Sequence, residues 1–307
     1  MTLTTRPPSP DSIPCCAGCS MARFCLVGER APDSIEPADM LAHRVVRLRK
    51  GEPLYLLGDP VVALFAIRVG TVKTHVATED GRTQVVGFHF PGEMVGLDSI
   101  GRRQYASYAT ALEDTKVCMI PMDTLRKLAA STPTLASRVF MALDRQAQHT
   151  RALQTLLALM TAEERLVTFL LWISEGLSAR GFSPSEFILR MSREEIGSYI
   201  GLTLETVSRQ FSRLAECGLI RVKHRSVALV DKAALRAIAA RPAISAVAPV
   251  PNSRRAGGQG VPAQGAGALV SAQAWMAPTL SESAAGARHA DSVKINPFAW
   301  EAGNGQQ

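Results

Sequence analysis

Between about Val45 and Ile120 the apolar residues come in short clusters, interrupted by Lys50-Gly51-Glu52-Pro53, Gly58-Asp59-Pro60, Val69-Gly70, Glu79-Asp80-Gly81 and Pro91-Gly92. Short strands separated by turn residues at regular spacing predict an all-β roll or barrel. Within this region Phe65-Ala66-Ile67-Arg68-Val69 and Thr83-Gln84-Val85-Val86-Gly87-Phe88 alternate loosely between apolar and polar positions. That alternation predicts strands with one face on a core and the other in water. After Pro133 the pattern changes. The run to Met160 contains neither Gly nor Pro and is rich in Ala, Leu, Gln and Arg, which predicts one helix of roughly 40 Å at about 1.5 Å per residue.

A helix of that length exceeds what one small core needs and predicts pairing with a second copy of itself, through a seam of Leu153, Leu156, Leu157 and Met160. The seam turns polar around Gln146 to His149, and a helix lying along its own β-roll is the alternative. Helical patterns continue from Thr161, followed by a strand pair, to about Ala240. Residues 241–307 are rich in Ala, Gly, Pro and Ser, with Trp275 and Pro297-Phe298-Ala299-Trp300 as their large apolar features. Such a composition buries too little surface to offset chain entropy and predicts a disordered tail.

At 307 residues and 47% hydrophobic content, the chain has room for two packed domains. The balance of 34 Lys and Arg against 27 Asp and Glu, a net charge of +7, weakly favours a polyanionic partner. No apolar stretch approaches the roughly 18 residues of a membrane span, and no signal peptide opens the chain, so a cytoplasmic protein with no membrane partner is expected. The Gly-rich phosphate loops, nucleophile elbows and zincin motifs of enzymes are not found, so an enzyme is not expected.

The stretch Ser192-Arg193-Glu194-Glu195-Ile196-Gly197-Ser198-Tyr199-Ile200-Gly201-Leu202-Thr203-Leu204-Glu205-Thr206-Val207-Ser208-Arg209-Gln210-Phe211-Ser212-Arg213-Leu214 reads as helix, glycine turn, helix. Ser192 and Glu195 have capping-box spacing, Gly201 suits the turn and Thr203 suits the second N-cap. Val207, Phe211 and Leu214 share one face of the second helix, which leaves Glu205, Ser208, Arg209 and Ser212 on or near the other. Arg can bond guanine bidentately, Glu can accept from cytosine, and Ser suits either base edge. An ordinary helical hairpin with solvated polar residues is the competing reading. Two short strands then follow, with Lys223, His224 and Arg225 at their tip. That is a winged-helix pattern whose basic tip suits phosphates, and phosphate contacts position a protein without reading sequence.

Six cysteines in a cytoplasmic chain point to metal or redox chemistry ahead of disulfides. Cys16, Cys19 and Cys25 have C-x2-C-x5-C spacing, with Cys15 adjacent and Cys118 distant. Three close thiolates and one remote one could serve a [4Fe–4S] cluster or zinc, and spacing alone does not separate these. Structural or disulfide roles remain open for the group. Lone Cys118 and Cys217 have the ordinary reading of small apolar side chains.

Taken together, these residues resemble the Crp/Fnr superfamily, and within it the Fnr-type oxygen sensors. The similarity runs from about Cys16 to Leu235 and includes Leu64-Phe65-Ala66-Ile67-Arg68-Val69-Gly70-Thr71-Val72-Lys73, the segment from Gly87 to Asp98, Ala162-Glu163-Glu164-Arg165-Leu166, Arg180-Gly181-Phe182-Ser183-Pro184 and the helix-turn-helix. The resemblance implies an α+β fold: a cyclic-nucleotide-binding-type β-roll, a long dimerisation helix and a winged helix-turn-helix. The corresponding boundaries are a cysteine-rich segment 1–28, a β-roll 29–132, a helix 133–160, a DNA-binding domain 161–240 and the tail 241–307.

It further implies a homodimeric transcription regulator and activator that binds double-stranded DNA at a TTGAT-type palindrome and meets RNA polymerase. A [4Fe–4S] cluster would be held by Cys16, Cys19, Cys25 and Cys118. Glu205, Ser208 and Arg209 match the subgroup's Glu-x-x-Ser-Arg, and Thr203, Ser212, Arg213, Lys223 and Arg225 complete the expected DNA-binding set. The chain departs from cyclic-AMP-binding members. After Gly92-Glu93-Met94 it carries Gln104-Tyr105-Ala106-Ser107, without the clamp arginine that an anionic phosphate needs, so no cyclic nucleotide is expected. A zinc or thiol-redox site serving a different signal is the alternative within the same family.

Overall fold

The computed structural model describes residues 19–26, 41, 44–78 and 80–240. Cys15, Cys16 and the expected tail lie outside the described residues. The described residues divide into two compact units, one of those up to 147 with 190–199, the other of 148–189 with 200–240.

Among its described residues the first unit includes a 3-10 turn, Ala22–Phe24, the strands β1 (Arg44–Leu48), β2 (Pro53–Tyr55), β3 (Ala63–Val69), β4 (Val72–Ala77), β5 (Thr83–His89), β6 (Met94–Val95), β7 (Tyr108–Ala111) and β8 (Thr115–Pro121), and the helix α1 (Met122–Ser131). The strands form two sheets, ordered β1-β8-β3-β6 and β2-β7-β4-β5. The roll expected from the turn spacing is present.

Strand β3 differs from its expected half-buried state. Ala63 through Ile67 are all buried. Ala63, Phe65 and Ile67 pack with Tyr55, Val72, Ala109 and Val117 of the other strands. Leu64 and Ala66 pack with Leu125 of α1 and with Leu135, Val139 and Ala142 of the helix that follows. Both faces therefore meet apolar partners, and such a strand carries no polar alternation. Strand β5 keeps its alternation, with exposed Thr83, Gln84 and Val86 and buried Val85 and Phe88.

The partly buried His89 ring of β5 makes a 3.0 Å hydrogen bond through Nε2 with Thr74 Oγ1. Burial holds His89 below its usual pKa, against the opposing pull of Glu93 and Asp98. Burial and Lys73 hold His75 down in the same way. Both rings are thus neutral in the fold, whereas the unfolded chain takes up protons below about pH 6.5. Stability contributed by the neutral rings is complete above that pH and is lost as the pH falls. We expect the melting temperature to drop by about 2–4 °C between about pH 7.5 and about pH 5.5, with His89→Gln removing much of the difference. Thermal unfolding at the two pH values checks this.

The long helix α2 runs from Pro133 to Leu159, within a residue of its expected end. In the second unit α3 (Ala162–Ala179) is buried on most sides along its middle, with Leu166, Val167, Phe169, Leu170 and Leu171 fully buried. A helix of that kind belongs at the centre of a core. It packs against α5 (Leu204–Glu216) and α6 (Lys232–Ala239). Its N-terminus has a full capping box, since Thr161 N–H donates to Glu164 Oε2 and Glu164 N–H to Thr161 Oγ1. A third sheet, β10-β11-β9, joins β9 (Glu186–Ile188), β10 (Ile220–Lys223) and β11 (Ser226–Leu229).

Candidate DNA interface and cysteine site

Helix α4 (Arg193–Ile200) is preceded by the expected capping box: Ser192 N–H donates to Glu195 Oε2 at 2.7 Å and Glu195 N–H to Ser192 Oγ at 3.1 Å. Within the first unit, Lys73 Nζ on β4 meets Glu195 Oε1 at 2.7 Å. Burial pushes the Glu195 carboxyl up, but its bonds to Lys73 and Ser192 outweigh that and hold it below its usual pKa.

Gly201 takes a φ of +67°, a left-handed conformation that a side chain would strain. Thr203 then caps α5, its side chain accepting from Thr206 N–H. Val207, Phe211 and Leu214 are buried, while Glu205, Ser208, Arg209, Ser212 and Arg213 are exposed on the rest of the helix. Arg209 Nη2 donates to Thr206 Oγ1 at 3.3 Å, which holds the guanidinium near the first turn. Arg213 Nε lies 3.7 Å from Glu163 Oε1 of α3, so this side chain is shared with the protein's own core helix. At the wing, β10 and β11 pair as an antiparallel hairpin in which Lys223 faces Ser226. His224 has a φ of +54°, one of the positive angles that short hairpin loops require. Lys223, His224 and Arg225 are exposed there. One helix and one hairpin thus present donors and a carboxylate suited to base edges and phosphates.

Cys19, Cys25 and Cys118 are partly buried and in no disulfide, and Cys217 is exposed beyond the end of α5. Cys25 and Cys118 pack against the same apolar cluster, although they are far apart in sequence. Strand pairing places Cys118 on β8 between Val45 of β1 and Ala66 of β3. The Cys19–Leu26 segment is seated by buried Met21 and Leu26 and by Arg138 Nη1, which donates to Leu26 carbonyl at 3.4 Å. Among the described residues no three His, Cys, Asp or Glu side chains converge as a metal site. Soft thiolate donors held partly out of water suit an iron–sulfur cluster or zinc, and the residues present fit such a group in donor type and in the shared location of Cys25 and Cys118.

Gly92 has a φ of +90°, and a Cβ there would come within 2.5 Å of Phe24 Cβ, beside Cys25. Gly92→Ala is expected to lower stability by about 1–3 kcal/mol through backbone strain. It should also displace the cysteine segment. Denaturant unfolding together with metal content of the variant checks both effects.

The expected helix seam is only partly placed at the surface. Leu153, Leu157 and Met160 are half-buried, but Leu156 is fully buried within its own chain. Its side chain therefore belongs to the protomer core. The exposed apolar side chains of α2 are Phe140, Met141 and Leu159, which the apolar clustering in sequence did not single out. Among the described residues no helix is long and apolar enough to cross a membrane.

Residues 45–132 match the cyclic nucleotide-binding domain family and residues 164–238 the Crp-like helix-turn-helix domain family. The chain is 40% identical over 230 residues to the transcriptional regulatory protein btr of Bordetella pertussis, covering 75% of this chain and 95% of that protein. It is also 40% identical over 224 residues to the transcriptional activator protein anr of Pseudomonas aeruginosa, covering 73% and 92%. Among solved structures, FixK2 from Bradyrhizobium japonicum aligns with a TM-score of 0.58 and 31% identity, over 63% of this chain and 96% of that one. The two sequence relatives are transcription regulators and not enzymes. With its β-roll, long helix and DNA-reading helix-turn-helix, the chain belongs to the Crp/Fnr family as a DNA-binding transcription regulator of the Fnr/Anr type.

Proposed function

We propose that this cytoplasmic regulator couples oxygen or redox state to transcription through a [4Fe–4S] cluster held by Cys16, Cys19, Cys25 and Cys118, and binds a TTGAT-type palindrome as a homodimer. The observation that carries the redox reading is the surroundings of Cys25 and Cys118. They pack on the apolar cluster that also holds Leu135, Val139 and Ala142 of α2, so a change at the thiolates reaches the long helix through side-chain contact. A bound cluster would supply a redox-sensitive centre there, held by the four cysteines. Leu26, Met21 and Phe24 seat the segment on the roll, and Arg138 ties it to α2.

Pairing of α2 is supported by Met141 and Leu159, which lie about five helical turns apart on one face and are both exposed. Gln148, Ala152 and Thr155 lie between them. A seam with a polar middle pairs weakly, as a two-state interface switched by one ligand requires. At the DNA, Glu205, Ser208 and Arg209 would read bases, with Thr203, Ser212, Arg213, Lys223 and Arg225 positioning the duplex. Contact with RNA polymerase completes the proposed action as an activator.

Cyclic nucleotide is not the proposed signal. In the segment that would hold its phosphate, Asp98 accepts hydrogen bonds from Ser99 and Ser107, and an acid there repels an anion. Tyr105 stacks on Tyr55 at 3.8 Å. Burial pushes Tyr105 up to about 12, which keeps its hydroxyl protonated, and it donates to the Ala63 carbonyl.

Titration of anaerobically purified protein against the palindrome and a scrambled duplex tests the reading. A preference of about 10³ or more for the palindrome, with two chains per duplex, is expected. Equal affinity for both duplexes would contradict it.

A further inference from the structure

We infer that Arg165 is the positioning residue that sets the angle between the end of the long helix and the DNA-reading helix, and so the half-site spacing this regulator accepts. The inference rests on the proposed palindrome reading.

Arg165 lies in the first turn of α3, four residues after the Thr161 N-cap. Its guanidinium donates to four backbone carbonyls. Nε reaches Met160 at 2.9 Å and Nη2 reaches Leu157 at 2.7 Å, while Nη1 reaches Ile200 at 3.3 Å and Gly201 at 3.2 Å. The first two carbonyls are at the C-terminal end of α2, and the other two are at the end of α4 and in the turn before α5. Carbonyls at helix ends have no partner within their own helix and carry the negative end of its dipole. A planar cation with a rigid fork can therefore join two such ends at a fixed angle, which a lysine with one ammonium cannot do.

The turn geometry is a second, independent observation. A Cβ on Gly201 would meet Leu157 Cδ2 at 2.8 Å and Arg165 Nη1 at 3.2 Å. The turn, the end of α2 and the guanidinium thus meet at a place where only glycine fits, two residues before the Thr203 cap of α5. Glu163 of α3 meets Arg213 of α5, a further tie between the same helices.

In a dimer paired through α2, the distance between the two α5 helices depends on this joint. One added base pair moves a half-site by about 3.4 Å and about a tenth of a turn, so a stiff joint rejects it and a loose one tolerates it. The test uses the full-length protein and Arg165→Lys. Fluorescence anisotropy measures binding to the palindrome, to the same palindrome with one base pair inserted at its centre, and to a single half-site. Dimerisation is measured by sedimentation and folding by thermal melting.

For the lysine variant we expect the discrimination between the two spacings to fall about tenfold, with half-site affinity and dimerisation within about twofold of wild type. Undiminished discrimination in the lysine variant, beside a discriminating wild type, would overturn the inference alone. A variant that is unfolded, or that loses half-site affinity and discrimination together, would make Arg165 a stability residue and overturn it too. A wild-type protein that itself ignores the spacing would overturn both the palindrome reading and the inference built on it.

Discussion

Arg209→Ala is expected to weaken binding to the palindrome by at least about 30-fold while leaving affinity for scrambled duplex nearly unchanged. One bidentate contact to guanine is worth about 1–3 kcal/mol, and in a symmetric dimer it is lost twice, about 2–6 kcal/mol in all. The side chain is exposed on the α5 surface opposite buried Val207, Phe211 and Leu214, so truncation removes no core packing. Its bond to Thr206 Oγ1 is an exposed one and adds little to stability. The matched control is Lys223→Ala at the wing. A phosphate contact carries no sequence information, so its loss should weaken palindrome and scrambled duplex alike and reduce the salt slope by about 1 per protomer. Anisotropy titrations on both duplexes at several salt concentrations separate the two behaviours. Equal losses on the two duplexes for Arg209→Ala would remove this residue from base reading.

Cys118→Ser has the second large expected effect, a loss of the cluster and of operator binding in anaerobic protein. The substitution changes one atom at a half-buried site between Val45 and Ala66, so the β-roll should keep its fold while losing a soft thiolate donor. Cys217→Ser is the paired control. Cys217 is exposed at the end of α5, and its loss should leave iron content unchanged. Iron analysis and far-ultraviolet circular dichroism of both variants decide the matter. Full iron in Cys118→Ser would take this residue out of the ligand set.

Much of the architecture was legible because it rests on local rules. The capping box of α4, the Thr203 cap, the left-handed glycine at 201 and the i, i+4, i+7 face of α5 all depend on residues a few positions apart. Strand β3 was harder to read. Burial on both faces depends on helices that return to it from more than fifty residues later, and a continuous apolar run does not announce whether one face or two are covered. Leu156 shows the same limit on a helix. An apolar position marks burial without saying whether the partner is the same chain or another, and here it is the same chain, while Phe140, Met141 and Leu159 remain exposed. The site is legible to a similar degree. Spacing picked out the close cysteines, but only the register of β8 with β1 and β3 shows why distant Cys118 shares a cluster with Cys25. Arg165 carried no signal as a joint, because its four acceptors are backbone atoms whose positions exist only after folding.

The most direct test is iron and acid-labile sulfide content, with the absorption spectrum and palindrome binding, on anaerobically purified protein before and after exposure to air. We predict about four irons per chain and a broad band near roughly 400 nm, with band and operator binding lost together in air. Colourless protein that binds the palindrome equally before and after air would contradict the account.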